Sequence, residues 1–219
     1  MEEEKVIYPD DVFAICIGRS FGSGGYKLAQ HLSKRLQVKL YDKDLLDKAA
    51  EDNNIRKELF EQADERNNYE IPLMVGGSLG LPNAFYMYAN NYLSNDHLFR
   101  LQSETIEKLA SKGSAIFVGR CADYTLRNHP HCLSVFVTED KEIRINNIQN
   151  RLDLESPKEA EEEIDKVDKN RREYYNYYTS RYWGRADNYD LCFKLSIIGI
   201  DYAIDTIVGL LRQRGFVIK

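Results

Sequence analysis

The sequence predicts an α/β fold, a largely parallel sheet covered by helices on both faces, and three observations predict it. Short apolar runs alternate along the chain with amphipathic stretches of helical period. The runs carry apolar residues at successive positions, as strands buried on both faces do. A glycine-rich turn joins the first run to the first helical stretch, and further candidate polar residues follow the other runs. In open sheets of this kind ligands sit beyond the carboxyl ends of the strands.

Each element follows in order. VFAICIG (12–18) is the first buried strand. After the turn RSFGSGG, Leu28, Leu32 and Leu36 recur at helical spacing. VKLYDKD (38–44) reads as a second strand ending in acidic residues, so 12–44 forms a β-α-β unit. Helical text runs from about Leu45 to Asn68. Residues 71–100 are rich in glycine and aromatic residues with two prolines, which suits either a mobile flap or a loop between helices. LQSETIEKLASKG (101–113) is an amphipathic helix stopped by Gly113. SAIFVGRCAD (114–123) is a strand closed by a glycine-arginine turn. CLSVFVTED (132–140) repeats that plan, its acids opening the helix KEIRINNIQNRL. A highly charged helix over 153–173 passes into EYYNYYTSRYWGRADNYD. YDLCFKLSII (189–198) is the last strand and GIDYAIDTIVGLLRQRG (199–215) the last helix. The text shows no internal repeat and no low-complexity linker.

The 219 residues are 43% hydrophobic and 30% charged, an ordinary balance for a globular protein with a sizeable core. A net charge of −5 argues against a general nucleic-acid surface, which shows as a basic domain. Cys16, Cys121, Cys132 and Cys192 are widely spaced without a Cys-x-x-Cys pair, which suits free thiols in a reducing cytoplasm. MEEEKVIYPDD lacks the apolar run of a signal peptide, and no stretch approaches the ~20 apolar residues of a membrane helix. The expectation is a cytoplasmic protein with no membrane partner.

In the glycine turn, Gly22, Gly24 and Gly25 permit positive φ and close backbone approach, so successive N–H groups at a helix start can cradle anionic oxygens. The pattern G-x-x-x-x-G-K-[ST] is not met: with Gly24 as its last glycine, Arg19 holds the first position and Gly25 the lysine position. Arg19 or Lys27 can supply the positive charge instead; the plainer reading is an ordinary strand-to-helix turn. Arg120, on a glycine turn after a strand, can grip a phosphate or form a surface ion pair. Asp123 can be a helix-start charge. Asp42 and Asp44 can hold Mg²⁺ through water, orient an acceptor hydroxyl or cap a helix. Asp168 with Arg171 or Arg172 shares a helical face, either as an exposed ion pair or as part of an arginine-bearing lid over a moving phosphoryl group. Arg181 and Arg185 lie nearby among tyrosines that suit a lid or an aromatic packing surface. His129 and His131 read as surface histidines without a third metal ligand.

Taken in order, GRSFGSGG, YDKDLL, VGRCADY, FVTEDKEIR and DKNRREYY…YWGRADNYDL resemble the cytidylate kinase-like proteins of the P-loop kinase superfamily, from about residue 15 to 195. The resemblance implies a three-layer P-loop kinase fold with a mainly parallel sheet, a helical acceptor-binding insert and a lid. It implies one domain over 1–219, with a core at about 12–44, 101–150 and 189–219, an insert at about 45–100 and a lid at about 151–188. Transfer of the ATP γ-phosphoryl to CMP or dCMP with Mg²⁺ follows as the implied activity, with no metal held by the protein alone. On that footing Gly22, Ser23, Gly24, Gly25, Tyr26 and Lys27 surround the donor phosphates. Asp42, Arg120, Asp123 and Asp168 serve the acceptor side, and Arg171, Arg172 and Arg19 stabilise the transferring group. Gly25 stands where true cytidylate kinases carry lysine, and their G-R-D is G-R-C here with Asp123 two positions on. The loop GSGG resembles that of this branch of the family. Two rivals stand beside this expectation: a non-catalytic nucleotide-binding module, and a kinase for another small molecule. A homo-oligomer is left open by the tyrosine-rich stretch.

Overall fold

The central strand of the sheet is β1 (Ala14–Arg19), and it is apolar on both faces because both are covered. In the computed structural model, which describes residues 8–44, 46 and 95–218, five strands form one sheet. The others are β2 (Lys39–Tyr41), β3 (Ala115–Val118), β4 (Cys132–Thr138) and β5 (Leu191–Lys194). Their order is β2-β3-β1-β4-β5 and every pairing is parallel. The chain leaves β1 toward one edge and returns to the other through β4, so β1 lies at the switch between directions. All five strands therefore end on one edge of the sheet, where the turns after β1, β3 and β4 are neighbours.

Two apolar layers fix the helices. Phe13, Ile15 and Ile17 point to one side, where they meet Leu28 and Leu32 of α1 (Gly25–Leu36) and residues 203–211 of the last helix. Ala14 and Cys16 point to the other, against Ile106 and Ala110 of α2 (Asn95–Lys112) and Leu126 after the short α3 (Ala122–Thr125). Each isoleucine or leucine buried completely in these layers contributes about 1.5–3 kcal/mol. A third cluster joins α4 (Lys141–Leu152) to α5 (Pro157–Thr179): Ile148, Ala160 and Ile164 pack with Phe21 from the glycine turn. Ser156 starts α5 by accepting the Glu159 N–H at 3.3 Å, with Pro157 in the first turn.

Two elements depart clearly from the expected boundaries. The helix expected at 101–113 begins at Asn95. The strand expected over 189–198 is paired only to Lys194, because β4, its one neighbour, ends at Thr138. Leu195–Ile198 instead turns as α6, held by the Glu139 carboxylate, which accepts the Ser196 N–H (2.9 Å) and hydroxyl (2.8 Å). The chain then closes with α7 (Ile200–Gln213). His129, expected at the surface, is only 4% exposed and stacks on Tyr8. The helical text at 45–68 and the segment 71–94 lie outside the described residues, Leu46 excepted.

Candidate active site

The glycine turn is tied down from three sides before any ligand is considered. Ser20 N–H donates to Val137 O at 3.0 Å, which fastens the turn to β4. Ser23 Oγ lies 2.8 Å from Ser20 O and 2.9 Å from Val137 O, so its hydroxyl is spent within the fold and not offered to the mouth. On the far side Phe21 N–H donates to Asp168 Oδ1 at 2.8 Å, and Asn147 Nδ2 donates to Gly22 O at 2.8 Å. Arg144 pairs with the other Asp168 oxygen and reaches Phe21 O at 3.4 Å. Gly22 and Gly24 both have φ +83°, and a Cβ on Gly22 would lie 2.9 Å from Arg144 O. A left-handed residue with no room for a side chain has to be glycine. Since Gly24 precedes α1 and has no side chain to cap it, the first N–H groups of that helix face the mouth of the turn.

Arg19 runs along this turn. Its stem packs against Gly25, and its guanidinium ends over Gly119 at the close of β3. Arg171 Nη1 donates to Arg19 O at 3.0 Å, while Arg171 itself lies 3.8 Å from Asp168 Oδ1 and faces the Phe21 ring. Arg120 follows Gly119 and faces the Tyr174 ring, 5.5 Å from its centroid. Gly119, Arg120 and Cys121 all have positive φ, +78°, +56° and +56°. Two successive left-handed non-glycine residues are strained, and the turn holds Arg120 there nonetheless.

These side chains line one cleft of about 370 Å³ at the carboxyl ends of β1 and β3. Its cations among the described residues are Arg19, Lys43, Arg120 and Arg171. Burial first, then the charges of Arg171 and Arg120, pull the Arg19 guanidinium down to about 9 from its ordinary 12.5. A guanidinium does not give up its proton at neutral pH, and the carboxylates of Asp42 and Asp168 offset part of the crowding. At the other end Asp123 accepts the Tyr175 hydroxyl at 2.7 Å, and burial pushes its carboxyl above the usual carboxylate range. Tyr189 is 9% exposed, and its hydroxyl has no hydrogen-bond partner among the described residues. Tyr174 is oriented by its hydroxyl, which donates to the buried Gln102 Oε1 at 3.0 Å.

Of the residues singled out in the sequence, the cleft brings together Arg19, Arg120, Asp123 and Arg171, with Gly25 against the Arg19 stem, while Gly22 and Gly24 lie in the adjoining turn against Arg144 and Leu195. Asp168 lies under the turn and holds its backbone. Tyr26 is exposed and does not line the cleft; its hydroxyl donates to Asp42 Oδ2 at 3.0 Å. Lys27 and Arg172, expected beside the phosphates and in the lid, are exposed and do not line the cleft. The reason is helical geometry: successive residues diverge by about 100°, so Leu28 and Arg171 facing inward turn their neighbours out. Arg181 lies over Tyr124, and Arg185 pairs with Asp187 at 3.0 Å, both outside the cleft. Arg144, Lys43 and Asn147 were not singled out; Arg144 sits within FVTEDKEIR, but nothing local marks it as the partner of Asp168. His129 Nδ1 accepts the His131 N–H at 3.0 Å, and no cluster of three metal-ligating side chains occurs among the described residues.

An all-parallel sheet with a glycine turn between its central strand and the following helix, and cations gathered beyond the strand ends, is the architecture of a P-loop kinase. The chain belongs to the cytidylate kinase-like family, whose sequence profile matches residues 14–197. Among solved structures it is similar to an uncharacterised protein from Eubacterium ventriosum, with 27% identity, a TM-score of 0.68, and 91% of this chain and 98% of that one covered. A gluconokinase from Sinorhizobium meliloti shares the fold at 13% identity and a TM-score of 0.50, with 94% and 95% covered. No curated protein matches the chain. No helix among the described residues is long and apolar enough to cross a membrane.

Proposed function

We propose that the chain is a phosphotransferase that moves the γ-phosphoryl group of ATP, with Mg²⁺, to CMP, dCMP or a similar small acceptor. The observation that carries this reading is the meeting of three guanidiniums, Arg19, Arg120 and Arg171, in one cleft beside the glycine turn, whose Gly25 packs on the Arg19 stem. Phosphoryl transfer asks little covalent chemistry of a protein and much positioned positive charge. In this reading the N–H groups at Gly24 to Lys27 hold the donor phosphates, and Arg19 and Arg171 face the transferring group. Arg120 grips the acceptor phosphate. Asp123 with Tyr175 accepts a hydrogen bond from the acceptor's ring or sugar, and the aromatic wall of Tyr174 and Tyr189 gives it a flat surface. The residues present fit Mg²⁺ held mainly by substrate phosphates and waters, with the hydrogen-bonded Asp42 and Tyr26 as outer partners. When bound, Mg²⁺ neutralises charge on the β- and γ-oxygens. A small nucleotide is the partner that suits a cleft of this size. The free state of the described cysteines agrees with the cytoplasm as its setting.

A nucleotide-binding module without catalysis is the second reading, favoured by Gly25 at the lysine position. A coupled assay of ADP release, with ATP, Mg²⁺ and a panel of nucleoside monophosphates, decides between them. Turnover selective for CMP or dCMP is the expected result; saturable ATP binding without ADP release for any acceptor would establish the module instead.

A further inference from the structure

We infer that Arg19 and Gly25 are a reciprocal exchange of the usual P-loop pair, in which the cation has moved from the lysine position after the loop's last glycine to the position of the loop's first glycine. The inference rests on the phosphotransfer reading and names the residue that does the loop lysine's work. In G-x-x-x-x-G-K the first position is glycine and the lysine follows the last one. Here arginine stands at the first position and glycine at the lysine's.

The two changes are coupled by contact. A Cβ built on Gly25 would fall 2.6 Å from Arg19 Cβ, 3.2 Å from Arg19 Cγ and 3.2 Å from Val137 Cβ. None of these is the free end of a flexible chain: the first two are the root of Arg19, the third belongs to a strand. Any side chain at 25 therefore collides with an arginine at 19. Gly25 is the space through which the arginine stem passes, and its φ does not require glycine, unlike that of Gly22 and Gly24. Gly119 serves the far end of the same side chain, since a Cβ there would fall inside contact distance of Arg19 Nη1. The guanidinium is thus led from the glycine turn to the β3 turn that carries Arg120. That is the boundary between the donor and acceptor ends of the cleft, where a moving phosphoryl group passes. Arg171 fixes the arrangement from α5 through Arg19 O.

The exchange reverses an obvious expectation. Restoring the lysine alone, Gly25→Lys, damages the protein, because the new side chain meets Arg19. Restoring both partners, Arg19→Gly with Gly25→Lys, regains the glycine and the lysine of the conventional loop, with Tyr26 still at its hydroxyl position. The charge itself is tested by Arg19→Met, which keeps an unbranched stem beside Gly25 and removes the guanidinium. Calorimetric titration with inorganic tripolyphosphate and with ATP, beside thermal melting, reads all four proteins. Arg19→Met should bind both anions on the order of 10- to 100-fold more weakly, as loss of a charge-assisted contact dictates, with a melting temperature no lower than the parent's, since a penalised charge is removed. Gly25→Lys should melt lower and bind more weakly than the parent, and the double variant should recover in both respects. Parental affinity in Arg19→Met, or tighter binding by Gly25→Lys at an unchanged melting temperature, would overturn the exchange while leaving the phosphotransfer reading in place. A parent protein that binds neither anion would overturn both.

Discussion

His129 is buried against Tyr8 with Nδ1 taken by the His131 N–H and Nε2 facing no acceptor among the described residues. Burial, and then the neighbouring His131, lower its pKa to about 4 from the ordinary 6.5. The folded chain therefore refuses a proton that the unfolded chain accepts. Its contribution to stability is complete above pH 6.5 and is lost as pH falls toward 4. Unfolding midpoints measured across that window should drop more steeply for the parent than for His129→Asn, whose amide oxygen can still accept the His131 N–H. Parallel profiles would remove His129 as the source. At the same scale the cleft shows a different use of burial. Arg19 is held charged in a place that penalises charge, as is fitting for a group that waits for an anion.

The elements around the glycine turn act through each other. Asp168 on α5 holds Phe21 N–H and Arg144 of α4 at once, so one carboxylate locks two helices to the turn. Its side chain is 9% exposed and that of Arg144 14%, so removal of either leaves a buried charge without its partner. Asp168→Ala should cost about 3–5 kcal/mol, seen as a fall of roughly 6–20 °C in melting temperature. Asp168→Leu combined with Arg144→Met should recover part of that loss, because the Arg144 charge is then not stranded, while Arg171 and the Phe21 N–H still lose their Asp168 partner. A single variant that melts like the parent would show that the turn is held by other bonds. This is also where reading the sequence ran out. The β1–turn–α1 unit was legible, since Ile15, Ile17, Leu28 and Leu32 declare their period and the glycines declare the turn. Arg144 was not, because its worth depends on a residue 24 positions away that only the packing of α4 on α5 brings near. The left-handed Arg120 and Cys121 were equally hidden, as neither residue type favours that conformation. The end of β5 was misjudged because apolar text continues past Lys194, while the partner strand needed to pair with it does not.

On the scale of the whole molecule the charge is divided unevenly. The chain carries a net −5, yet Arg19, Lys43, Arg120 and Arg171 converge on one cleft. On the proposed function, a net negative chain with a cationic cleft should favour small polyanions over extended ones, since a long nucleic acid would meet more of the chain's negative charge. The same division sets Arg19 against Arg171 and Arg120, a repulsion that an anion bound to the folded state would relieve. Tripolyphosphate at 100 times its dissociation constant should then stabilise the protein by about 2.7 kcal/mol, a rise in melting temperature of roughly 5–11 °C. Sodium chloride at matched ionic strength supplies the control, because it screens the repulsion without occupying the turn. If chloride raises the melting temperature as much as tripolyphosphate does, the stabilisation is general screening and the cleft is not a built polyphosphate site. If only the polyanion does so, and Arg19→Met abolishes most of the difference, the positive charge of the cleft is organised around the glycine turn.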